Sequence, residues 1–122
     1  MQNFERLHAL TKEELIGLIE IYSKNWLAMD GVWFQSIERK YGMEEAMFHD
    51  GEAWKRFTVM EAKRIKEFLG LPDRAGLEGL AKALSLRFYA NLNRDEIRVE
   101  GNTLTYRTLT CRVQQARERK GM

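Results

Sequence analysis

Three polar side chains sit at spacings that turn them toward apolar neighbours, and each could do chemistry there. In the stretch NWLAMDGVWF, Asp30 lies four residues after Trp26 and three before Trp33. On an unbroken helix those offsets share one face. Glu61 lies four residues after Phe57 and four before Ile65, in line with Trp54 and Phe68. Arg87 follows Leu80 by seven and Leu84 by three, with Asn91 four further on. A carboxylate held among indoles holds its proton more tightly, so it can act as a general acid or base. It can also orient a cationic or hydroxyl group of a ligand. In such a site Asp30 and Glu61 form a polar floor, Arg87 an anion contact, and Trp26, Trp33 and Trp54 the walls.

The same placement supports two other readings. Arg87 could bridge Asp30 or Glu61 in a purely structural network, since an unpaired inward charge costs roughly several kcal/mol. Alternatively, the helix could kink at Gly31 and leave Asp30 as a cap for its second half.

Cys111 is followed by Arg112 at the end of a strand-like run. A thiol beside a guanidinium could ionise readily and act as a nucleophile, although most free cysteines are inert core residues. No metal is expected: His8 and His49 have no HxxxH or CxxC spacing with anything. No cofactor signature is present, as there is no glycine-rich phosphate loop after a strand and no GxSxG. Residues 1–85 carry 12 basic and 14 acidic side chains, and residues 86–122 carry 8 and 4. The basic end holds Arg112, Arg117, Arg119 and Lys120, but Glu118 interrupts it and no aromatic follows Tyr106. A solvated helix is therefore expected there rather than a nucleic-acid surface.

The elements that must position these groups are legible in outline. Thr11 with Glu14 is a capping box. Leu15, Leu18, Ile19, Tyr22, Trp26, Met29, Trp33 and Ile37 then recur in steps of three and four, which predicts one long helix to about residue 41, stopped by Gly42. A short helix over 43–49 is expected next. Asp50 would cap the following one, with Ala53, Trp54, Phe57, Met60, Ile65 and Phe68 inward and Gly70 as its end. After GLPDRAG, a further helix carrying Leu77, Leu80, Ala81, Leu84 and Phe88 is expected to reach residues 91–93. Ile97 and Val99, then Leu104 and Tyr106, alternate with polar residues around Gly101–Asn102, which is a hairpin signature. A helix-prone basic segment closes the chain.

At 122 residues, 44% hydrophobic and 31% charged, the chain has the composition of one folded domain, 1–122. The net charge of +2 is too small to imply a nucleic-acid partner. No apolar run reaches the roughly 18–20 residues of a membrane span. The first ten residues do not read as a signal peptide, and one cysteine cannot form an internal disulfide, so a cytoplasmic location is expected.

Four segments in one order resemble a family of small uncharacterised bacterial and archaeal cytosolic proteins that carries a domain-of-unknown-function label. They are ELIGLIEIYSKNWLAMDGVWFQSIERKYGMEEA, AWKRFTVMEAKRIKEFLGL, GLEGLAKALSLRFYANLN and TLTCRVQQARERKG. The resemblance spans nearly the whole chain from about residue 11, and it places Asn25 beside Trp26 and Asp30 in one motif and Cys111 with Arg112 in another. More distantly, the family is similar to L-2-amino-thiazoline-4-carboxylic acid hydrolase-like proteins and to 4-vinyl-reductase small-molecule-binding domains. That similarity implies N-terminal helices, an α/β portion and a cysteine at a strand end. The resemblance to the small uncharacterised family itself implies members that continue past RKG into a cysteine-bearing segment, whereas this chain stops at Met122. On that reading the chain is either the N-terminal part of a longer family domain or a short member of it.

The expected fold is therefore α+β and mainly α: four to five helices around a Trp-rich core, with one C-terminal antiparallel β-hairpin. A lone hairpin is marginal in water and must find a neighbour. A homodimer is expected, because the helices hold more large apolar residues than a small bundle can hide. The expected function is small-molecule binding, with hydrolase-like chemistry in view. Asp30, Glu61 and Cys111 are the candidate catalytic groups, and Asn25, Trp26, Trp33, Trp54, Arg87 and Arg112 the candidate ligand contacts. The alternative is a non-enzymatic helical interaction module whose inward charges are structural.

Overall fold

The computed structural model describes residues 4–121. Met122 lies outside the described residues. The architecture is α+β and mainly α, with five helices and one two-stranded antiparallel sheet among the described residues. A short α1 (Glu5–His8) precedes α2 (Lys12–Tyr41), which opens on the expected capping box. The Glu14 amide donates to Thr11 Oγ1 at 3.1 Å, and the Thr11 amide donates to Glu14 Oε1 at 2.9 Å. The helix runs unbroken through Asp30 and Gly31, so Asp30 is mid-helix and caps nothing. Gly42, at φ 95°, turns the chain into α3 (Met43–Leu69). The two long helices pack side by side and form the frame of the molecule.

Two expectations are corrected here. The break at residue 49 does not occur, because α3 continues through Asp50 and Gly51. The Asp50 carboxylate does not turn back to cap the backbone; it accepts the Trp54 indole N–H at 3.1 Å, one helical turn on. Gly70 ends α3 in the left-handed region, with the Leu71 amide closing back on Lys66 O. The third long helix is also shorter than its periodicity suggests. α4 spans only Gly76–Ser85, Arg87 is extended, and Phe88–Asn91 form a single 3-10 turn. Glu61 of α3 meets the chain just past that end. Its carboxylate takes the Arg87 Nε–H at 2.6 Å and the Phe88 amide at 3.3 Å, bonds that anchor the link where a helix would otherwise continue.

Strands β1 (Arg94–Glu100) and β2 (Thr103–Thr110) pair with Ile97 opposite Tyr106 and Val99 opposite Leu104. Gly101 takes φ 58° at the first turn position, as a two-residue hairpin loop requires. The hairpin finds its neighbour in α4. Finally α5 (Arg112–Arg119) lies against α2, where Arg117 reaches Glu38 at 3.7 Å and sits over the Phe34 ring.

The tryptophans do not make the expected core. Among the described residues only Ser23, Ala46 and Gly79 are buried, and no large side chain is fully enclosed. What packs instead is an aromatic cluster of Trp54, Phe57, Phe88 and Tyr89, with Trp26 stacked on Phe57 at 5.5 Å. No helix among the described residues is long and apolar enough to cross a membrane.

Candidate functional site

One seam of α2 carries Ser23, Leu27, Asp30 and Phe34, spaced by four, three and four. It faces α3, the 3-10 turn and α5. Ser23 is fixed at one end: its hydroxyl donates to Ile19 O at 2.9 Å and accepts from Asn91 Nδ2 at 3.0 Å. On α3 a matching seam carries Met43, Met47, Asp50 and Trp54. Between these seams, closed at one end by Tyr89 and at another by α5, lies a cleft of ≈ 540 Å³.

Its floor is Asp30, Asp50, Trp54 and Tyr89. Leu27, Val32, Phe34, Met43, Met47 and Val113 make apolar walls, and Lys24, Arg112, Arg117 and Lys120 line its basic side. Lys24 is held to Glu20 at 2.9 Å and Arg117 to Glu38, so two of these four cations already have partners.

The electrostatics of the floor are set by two acids side by side. Burial pushes the Asp30 carboxyl above its usual range, and the neighbouring Asp50 charge and hydrogen bond push it further, while the Trp54 indole pulls it back. Tyr89 is pushed up to about 12, first by burial and then by the charges of Asp30, Cys111 and Asp50, against a smaller opposite effect of Arg87. Its phenol is therefore a neutral hydroxyl throughout the physiological range. The floor thus offers two neighbouring carboxyl groups, an indole N–H and a phenolic hydroxyl. That set can hold a cationic or hydroxyl group, or pass a proton to one.

The other residues singled out by spacing are distributed as follows. Trp54 and Arg112 join Asp30 in the cleft. Trp26 and Trp33 lie on the opposite flank of Asp30, in a second, smaller groove of ≈ 180 Å³ with Met29, Ala53, Trp54 and Phe57. Glu61 and Arg87 meet each other away from the cleft, with side chains only 10% and 27% exposed. Cys111 stands half-buried at the N-terminal end of α5 and lines neither groove. Asn25 is exposed on α2 and also lines neither. Among the described residues no three His, Cys, Asp or Glu side chains gather as a metal site would require.

Asp50 and Tyr89 were not anticipated. For Asp50 the signal was present: Met43, Met47, Asp50 and Trp54 repeat at helical spacing. A local capping motif outweighed it. Tyr89 sits on a 3-10 turn, where periodicity carries no information.

Comparison of the chain with curated proteins and with solved structures returned no match. A family model does match, over residues 8–122, and the chain belongs to that family, DUF6125, a family of unknown function.

Proposed function

For this member of DUF6125 we propose a small-molecule-binding function centred on the cleft between α2, α3 and α5. The observation that supports it is the Asp30–Asp50 pair at the floor of an apolar-walled cleft. Neither carboxylate forms an ion pair among the described residues, although four cations line the same cleft. Two adjacent acids with no cation between them destabilise a fold unless something else uses them. The ligand chemistry that fits is an amphipathic molecule. A hydrogen-bond donor, cationic or hydroxylic, would face Asp30 and Asp50; an apolar body would lie against Leu27, Met47 and Val113; and an anionic group would reach Arg112 or Lys120. Hydrolase-like chemistry, which the distant resemblance implies, would use Asp30 as the proton donor and acceptor. We place this activity in a reducing, cytoplasmic setting, consistent with the single free Cys111.

The test is a thermal-shift survey of amines, amino acids and hydroxy acids on the intact chain, repeated on Asp30→Asn and Asp50→Asn. A ligand that raises the Tm of the parent in a concentration-dependent way, with the effect abolished in both variants, is the expected result. Equal stabilisation of parent and variants, or none by any class, contradicts the proposal. A second reading, a helical interaction module with structural charges, is favoured by the Glu61–Arg87 pair. On that reading Asp30→Asn leaves association with a partner unchanged and no small ligand shifts the Tm.

A further inference from the structure

Next to the seam that lines the cleft, α2 carries a second one. Leu15, Ile19, Tyr22, Trp26, Met29 and Trp33 are spaced four, three, four, three and four, which is an unbroken heptad pattern. Its five C-terminal members face solvent: Ile19 is 53% exposed, Tyr22 61%, Trp26 50%, Met29 65% and Trp33 67%. A seam of this kind is what one helix presents to another, and among the described residues only the edge of α3 touches it, where Phe57 stacks on Trp26.

The surface area shows how much is uncovered. The chain exposes 10021 Å². A compact monomer of its mass exposes about 6,800 Å², so the excess is roughly 3,200 Å². Elongation adds surface, since a helix as long as α2 extends about 45 Å, but it does not by itself put two indoles into water. A stable obligate dimer buries about 1,000–2,500 Å² on each partner. The excess is enough for such an interface.

We propose that a second copy of the chain covers this seam, with the two α2 helices antiparallel across a two-fold axis between Trp26 and Met29. Antiparallel heptad seams put the first apolar position of one helix opposite the second of the other. Tyr22 then opposes the partner's Trp33, and Trp26 opposes the partner's Met29. The ends agree in charge. The first turn of α2 carries Glu13 and Glu14, and its last turn carries Arg39 and Lys40. Antiparallel pairing brings each acidic end to the other's basic end and opposes the helix dipoles, whereas parallel pairing sets like charges together. The product is four long helices, α2 and α3 from each copy. The groove holding Trp26, Met29 and Trp33 on the far flank of Asp30 would be closed by the partner. The proposal rests on spacing, exposure and charge, and stands or falls independently of any ligand in the cleft.

The experiment is sedimentation equilibrium on the full chain at micromolar concentration, with circular dichroism as the check on folding. The expected mass is twice the 14.4 kDa of one chain. Met29→Lys is the cleaner disruption, because Met29 is the more exposed of the two, whereas Trp26 stacks on Phe57. Met29→Lys and Trp26→Glu should each weaken association at least tenfold while remaining helical. Their mixture should restore a dimer of one chain of each kind, because the new lysine faces the new glutamate. A helical parent chain at single-chain mass overturns the proposal, as does a dimer insensitive to Met29→Lys or a mass above two chains. Failure of the mixture to associate overturns the antiparallel register.

Discussion

Glu61 and Asp30 begin with the same sequence signature, a carboxylate on the apolar face of a long helix with aromatics a turn away. The fold treats them in opposite ways. Glu61 receives a guanidinium and a backbone amide from the link after α4, and every strong contact it makes is with a donor. Asp30 receives a second acid. The difference arises from what the neighbouring element brings rather than from the residue or its helix. An inward carboxylate answered by a cation is part of the scaffold. One answered by another carboxylate, at the floor of an open cleft, destabilises the fold when ionised and is the better candidate for a ligand or a proton.

Substitution should separate the two cases by sign. The largest effect is expected at the scaffold pair. Glu61→Gln removes the charge facing Arg87 and weakens the anchor on Phe88, and it should destabilise the chain by about 2–3 kcal/mol, read by urea denaturation. Stability within a few tenths of a kcal/mol of the parent would mean that the pair is dispensable and the contrast with Asp30 unfounded.

Asp30→Asn should act in the other direction. The Asp30 carboxyl has its folded proton affinity raised, so ionisation costs more in the folded chain than in the unfolded one. Stability is unaffected below the ordinary aspartate value and is lost as pH rises through the raised folded value. Removing the ionisable group should therefore raise Tm at neutral pH, with the gain shrinking to nothing in acid. A fall in Tm at neutral pH would place Asp30 with Glu61 as a structural group.

A smaller effect is expected from Asp50→Asn. It removes the Asp50 charge but leaves the burial that is the larger cause, so the Asp30 titration should move part of the way toward the ordinary value. An unchanged titration would show that the two acids do not communicate. The smallest effect belongs to Trp54→Phe, which removes the indole N–H that lowers the Asp30 value while keeping an aromatic ring. A slight further rise in the Asp30 midpoint is expected, and a fall would reverse the assigned role of the indole.

These contrasts also show which parts of the molecule the sequence could reveal. The capping box at Thr11, the run of α2 through Gly31, the stop at Gly42 and the turn at Gly101 are local, and local chemistry decides them. The continuity of α3 past Asp50 was hidden because a capping residue and a mid-helix acceptor look alike until Trp54 is seen to supply the donor. The early end of α4 was hidden because the group that holds the chain just beyond it, Glu61, is far away in the sequence. In the site, helical spacing pointed to Asp30 and Trp54. The same spacing marked Asp50, but a capping motif outweighed it; spacing could not show that Tyr89 would join them, nor that Glu61 and Arg87 would pair elsewhere. Likewise, periodicity marked Trp26 and Trp33 as apolar-face residues, but spacing alone does not say which seam of a helix the same chain will cover.

The most direct measurement is the pH titration of the Asp30 side-chain carboxyl carbon by NMR in the intact parent chain. A midpoint clearly above the ordinary aspartate value of roughly 3.9 is the expected result. A single midpoint at or below that value would mean that Asp30 is an ordinary solvated acid, and the cleft would lose its distinctive chemistry.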